Sequence, residues 1–133
     1  MATSSTKYLK IETTIRLAND NAYSSEIVPA HTITEEIEVT RYKRQGYLAA
    51  TGGTTVDLSE FGTIYKCLIR NLDASNYVDT NHDTVADGAT SPQACRVFAE
   101  QVLVLTDVDP TQDLALTANG ADCEVEIEVY GAA

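Results

Sequence analysis

Tryptophan is absent from this chain, and phenylalanine occurs twice against seven tyrosines. A core of stacked large aromatics is therefore excluded, and the interior has to be built from Val, Ile, Leu and Ala with some of the tyrosines. No stretch approaches the ~20 consecutive apolar residues that a helix needs to cross a bilayer. The opening MATSSTKYLKIETT has no apolar run of the kind a secretory signal carries, and Ala2 excludes N-myristoylation. The chain is expected to be soluble, made in a cytosol and without a membrane partner.

Cysteine is equally sparse. Cys67, Cys95 and Cys123 lie far apart and odd in number. Zinc sites need ligands paired at short spacing, so these three are expected as small buried hydrophobes. Only two histidines occur, His31 and His82. There is no Gly-x-Ser-x-Gly elbow, phosphate loop or dinucleotide fingerprint. No catalytic site and no cofactor are expected.

Positive charge is the last scarcity: nine Lys and Arg against twenty Asp and Glu, a formal net charge of −11. With no basic stripe to meet phosphates, nucleic acid is excluded as a partner. The imbalance is uneven. Residues 1–50 carry six basic and six acidic side chains, whereas residues 51–133 carry three and fourteen. This suggests a neutral docking side in the N-terminal part and a solvated acidic remainder.

What the chain has in quantity is period-two alternation, the mark of half-buried strands. Leu9, Ile11, Thr13, Ile15 and Leu17 alternate with Lys10, Glu12, Thr14 and Arg16, and Asn19-Asp20-Asn21 ends the run. Thr32–Lys43 repeats the pattern, with Ile33, Ile37 and Val39 opposed to Glu36, Glu38 and Thr40. In Thr63–Leu72 both parities are apolar, Tyr65, Cys67 and Ile69 on one and Ile64, Leu68 and Leu72 on the other, which suggests a strand covered on both faces. Residues 81–92 are polar and turn-rich and are expected as a long exposed loop. Val102–Leu105, Leu114–Ala118 and Cys123–Tyr130 read as strands, the last with Val125, Ile127 and Val129 inside and Glu124, Glu126 and Glu128 in a wet row.

Eight or nine short strands with Gly, Asn and Asp turns and no sustained helical period indicate an all-β fold. The expected architecture is an antiparallel β-sandwich, jelly-roll-like, formed as one domain over residues 7–130 after a flexible N-terminal arm, residues 1–6.

No metal is assigned. The nearest approach to a calcium loop is Asp79, Asn81, Asp83 and Asp87, whose first three oxygens alternate as early calcium ligands do. Thr84 stands where such a loop needs Gly, and Thr90 where it needs a bidentate Glu. Tyr8, Tyr42, Tyr47, Tyr77 and Tyr130 are candidates for a sugar-stacking platform.

The segment from Phe61 to Asp73 (FGTIYKCLIRNLD), followed by Asn76-Tyr77-Val78, resembles small virion structural proteins of tailed bacteriophages, in which a strand ends in an Arg-Asn-Leu-Asp-type turn. Ala99-Glu100, Val102–Leu105, Leu114–Ala118 and Val125–Val129 resemble the later turn and strands of that pattern, so the resemblance spans roughly residues 55–130. It implies a non-catalytic β-sandwich of the capsid decoration (cement) type, located in the virion after synthesis in the host cytoplasm. Its partners would be the major capsid protein or other virion proteins, and it would be a homo-oligomer, most naturally a trimer at a three-fold site. The alternatives are a neck, tail or fibre-attachment subunit and, from another class, a carbohydrate-binding module. Because Tyr and Arg are favoured interface anchors, the expected contacts in the neutral N-terminal part are Tyr8, Arg41, Tyr42, Arg44 and Tyr47.

Overall fold

The computed structural model describes residues 6–22, 26–85 and 88–133, with residues 26–30 and 88–92 described by their backbone. Among these, ten strands follow in order: β1 (Lys7–Ala18), β2 (Glu26–Val39), β3 (Arg41–Ala49), β4 (Thr54–Val56), β5 (Thr63–Asn71), β6 (Val78–Thr84), β7 (Gly88–Val97), β8 (Val102–Leu105), β9 (Leu114–Ala118) and β10 (Cys123–Ala132). The last eight pair by a nested rule. β3 joins β10, β4 joins β9, β5 joins β8 and β6 joins β7, all antiparallel, as though one long hairpin had been rolled up. Rolling places the strands in two four-stranded sheets, ordered β3-β10-β5-β8 and β4-β9-β6-β7. This is an eight-stranded jelly-roll sandwich, the expected architecture.

β1 and β2 do not join it. They form a two-stranded sheet of their own, and the chain divides into two compact units, Tyr8–Glu38 and the unit that holds Val39–Ala133. The single sandwich expected over residues 7–130 thus begins only at β3. An amphipathic strand alternates in the same way whether it lies in a sandwich or in a separate hairpin, so alternation could not tell the two apart. Of the expected arm at 1–6, residues 1–5 lie outside the described residues.

The sandwich core is the inner parity of each strand. Val125, Ile127 and Val129 of β10 meet Ile69 of β5, Val78 of β6 and Leu114 and Leu116 of β9, all buried. Cys67 and Cys123 are buried among them as free thiols, and Cys95 is half-buried. Burial pushes the Cys67 thiol up to about 12, so it acts as a small hydrophobe.

Asn71 ties the two sheets together. Its Nδ2 donates to the carbonyls of Asn76 at 2.8 Å and of Val97, on β7, at 3.1 Å, while its Oδ1 accepts from Asp73 N at 3.0 Å. The Asp73 carboxylate then accepts from the backbone N–H groups of Asn76 and Ser75, which hold its pKa below the ordinary aspartate value.

Two expectations fail for local reasons. A register shift lies at Tyr130/Gly131, where Gly131 pairs with Ile64 and Tyr130 with Lys66, leaving Tyr65 as the extra residue of a bulge. The bulge flips parity, so Ile64 joins Cys67 and Ile69 inside, Tyr65 is turned outward, and the outer row is Lys66, Leu68 and Arg70. The strand is therefore not apolar on both faces.

Residues 81–92, expected as a loop, fall largely in the β6–β7 hairpin, with Asn81 opposite Ala94 and His82 opposite Gln93. β7 is an edge strand, the position in a sheet that tolerates a proline such as Pro92.

The inner parity of β6 is Val78, Thr80, His82 and Thr84, all buried, the last three polar. His82 is 6% exposed, and its Nδ1 has no hydrogen-bond partner among the described residues.

Two predictions follow from this packing. A Cβ at position 131 would run into the Thr63 carbonyl oxygen, whereas one at Gly46 meets nothing within 4 Å. Gly131→Val should lose at least ~2 kcal/mol in urea unfolding, while Gly46→Ala should stay close to wild type.

Burial lowers the His82 pKa from 6.5, outweighing the opposing pull of Asp83 and Asp107. The unfolded chain therefore takes up a proton before the folded one does. The stability difference is fully present above the unfolded pKa and is lost as pH falls from there through the folded pKa. Unfolding midpoints should drop across that window, and His82→Gln should remove this part of the drop.

Candidate interaction surface

The β1–β2 sheet is built from long strands of 12 and 14 residues. The Thr14 and Thr32 hydroxyls bond each other at 2.8 Å, which puts the even-numbered positions of both strands on one face. That face is polar, and on it Lys10 and Glu12 pair at 3.0 Å. Period two then gives the opposite face Leu9, Ile11, Thr13, Ile15 and Leu17 from β1, and His31, Ile33, Glu35 and Ile37 from β2.

Leu9, Ile11 and Ile37 are half-buried, but Ile15, Leu17 and Ile33 are 51%, 53% and 60% exposed. An isolated two-stranded sheet is marginal in water. Covering these three side chains fully would contribute on the order of 1 kcal/mol each.

The expected anchor residues divide between the two units. Tyr8 is on the polar face of β1 and 80% exposed. The other four lie on β3, where parity separates them. Arg41 and Tyr47 share the side of buried Ala49: Arg41 Nη1 donates to the Glu60 carbonyl, and Tyr47 packs against the core. Tyr42 and Arg44 are on the outer face, in register with Tyr130 and Glu128 of β10. Arg44 reaches Glu126 at 3.1 Å and Glu128 at 4.0 Å, and Arg70 of β5 reaches Glu126 from the other side at 3.6 Å.

Of the row expected to be wet, Glu124 is exposed, but Glu126 and Glu128 are not. Glu126 and Glu128 are largely covered and sit beneath arginines from the two neighbouring strands. Because β3 and β10 are adjacent, the charge-balanced and acidic parts of the sequence do not form two separate sides of the sandwich.

The outer face of the second sheet carries an open depression of about 600 Å³, lined in part by Asp79, Asn81, Ala94, Arg96, Ala115 and Thr117. Asp79 is held by Arg96 through two bonds, at 2.8 and 3.2 Å. Arg96 also stacks on Tyr77, 3.7 Å from the ring centroid, and Tyr77 meets the exposed Phe98 edge-on at 6.4 Å. The calcium-loop geometry considered for Asp79, Asn81 and Asp83 is not formed. They lie along strand β6, where alternate side chains stand in a row ~6.6 Å apart rather than converging. Asp87 lies outside the described residues. Among the described residues no group of three His, Cys, Asp or Glu side chains is placed to hold a metal.

No family model and no curated protein matches this chain.

The apolar row on the β1–β2 sheet was visible in the sequence only as the inner side of two strands, because exposure is not written in alternation. Arg70, the second cation over Glu126, was missed because its partner lies 56 residues away on the neighbouring strand. A consequence at this face can be measured. Burial, with the Glu128 carboxylate 3.0 Å from its hydroxyl, pushes the Tyr130 phenol up to about 12. In a residue-resolved NMR titration Tyr130 should ionise near that value, and Glu128→Gln should bring its midpoint down.

Proposed function

We propose that this chain is a structural protein of a phage virion, a capsid cement or decoration protein that stabilises the shell by bridging capsid subunits. The observation that carries the reading is the β1–β2 sheet. It is a compact unit of its own with an exposed apolar row, and the jelly roll has a closed core of its own. Jelly rolls are frequent in viral shells, which supports the same reading, as does the likeness of residues 55–130 to small virion proteins. On this reading the chain is made in the host cytoplasm and ends up in the particle.

The test is quantitative mass spectrometry of purified particles from a host carrying the gene. A decoration protein is present in copy number comparable with the major capsid protein. Copy number at the level of single-vertex parts would move the chain to a neck, tail or fibre-attachment role. Absence from particles would overturn the virion reading.

A second reading has one specific observation behind it. The Tyr77–Phe98 pair with Arg96 stacked on Tyr77 is a partly exposed aromatic platform, and jelly rolls also serve as lectins. A carbohydrate-binding module would give glycan-array binding that Tyr77→Ala abolishes, and a silent array would remove this reading.

A further inference from the structure

In a two-stranded sheet both strands are edges. Among the described residues β1 and β2 pair only with each other in their sheet, so each has one row of backbone N–H and C=O groups without a ladder partner. Natural edge strands are kept short or guarded by charged side chains, proline and bulges. These are 12 and 14 residues long, and their one proline, Pro29, lies in the first four residues of β2, leaving Ala30–Val39 clear.

The two strands also differ in charge. β1 carries Lys7, Lys10 and Arg16 against Glu12, whereas β2 carries Glu26, Glu35, Glu36 and Glu38 with no Lys or Arg. Pairing β1 with β1 would bring cations together, and pairing β2 with β2 would bring carboxylates together. Pairing β1 of one copy with β2 of another brings opposite charges into adjacent strands.

We propose that copies of this chain add edge to edge through this sheet, β1 of each copy pairing with β2 of the next, and close into a ring with the Ile15–Leu17–Ile33 face inside. This goes beyond the proposed virion role and does not depend on it. The contact is strand addition, with main-chain bonds for affinity and side-chain charge for orientation. It is heterologous, since a different edge is used on each side, and heterologous contacts either close into rings or run on as filaments. The apolar face selects closure, because curling the sheet around that face removes it from water and also eliminates both free edges. Three copies give a six-stranded ring whose interior side chains can fill. His31 and Glu35 share the inward face on either side of Ile33.

The experiment uses the full chain in solution and has two readouts. Analytical ultracentrifugation is expected to give three times the 14.4 kDa chain mass. Ile15→Asp with Ile33→Asp is expected to give monomers in which the amides of β10 keep their wild-type protection. Hydrogen exchange on the wild type reads the edges directly. In a closed ring the amides along β1 and β2 are protected at successive residues, whereas a lone hairpin protects them at alternate residues only. A monomeric wild type would overturn the proposal, as would an oligomer with alternating protection, which would have assembled through another surface. Neither outcome depends on whether the chain is found in particles.

Discussion

β10 is hydrogen-bonded along nearly its whole length on both edges, to β3 on one side and to β5 on the other. Much of the larger unit depends on this central position. The inner side chains of β10 form the middle of the core, and its outer glutamates are held by arginines that only β3 and β5 can supply. Its C-terminal end sets the bulge, because Gly131 lets the backbone of Thr63 come close and shifts β5 by one residue. The last strand of the roll thus joins its first and third strands, so the nested pairing cannot be completed until β10 has been made. Such long-range pairing is characteristic of slow-folding all-β topologies.

The same position explains the electrostatics. Along the sequence the acidic excess looks like a property of the C-terminal part. In the fold, Arg44 from the balanced part lies over Glu126 and Glu128, and Arg70 closes on Glu126 from β5. The antiparallel register with β3 converts a separation of 82 residues into a direct pair. Charge read in sequence blocks could not show this, since it depends on which strands become neighbours rather than on composition.

How much was legible follows from which signals are local. The alternation of Leu9–Leu17 and of Cys123–Tyr130 showed strands because each has a clean apolar parity. β6 reads as loop from Asn81 onward because its buried parity is Thr80, His82 and Thr84, polar residues whose burial is not visible in sequence. The β5 bulge left no mark in β5 itself. Its cause is a glycine on another strand. Among the expected anchors, residue type pointed to Arg41 and Tyr47 as readily as to Tyr42 and Arg44, yet parity along β3 turns the first two toward the core side. Residue type does not carry facing, and facing decides whether a side chain can meet a partner.

The jelly roll and the β1–β2 sheet solve the same problem to different degrees. Each strand brings an apolar side and two hydrogen-bonding edges. The roll places its apolar sides face to face between two sheets and leaves as edges only β3, β8, β4 and β7, of which β4 and β8 are three and four residues long. The two-stranded sheet has the same ingredients with no second layer among the described residues of its unit, and its strands are the longest in the chain. Long edges with an exposed apolar row are ordinarily an aggregation liability. The opposite charge of β1 and β2 makes another copy of the same sheet a partner that fits them. The features that make this unit incomplete by itself are thus the ones on which the proposed assembly rests.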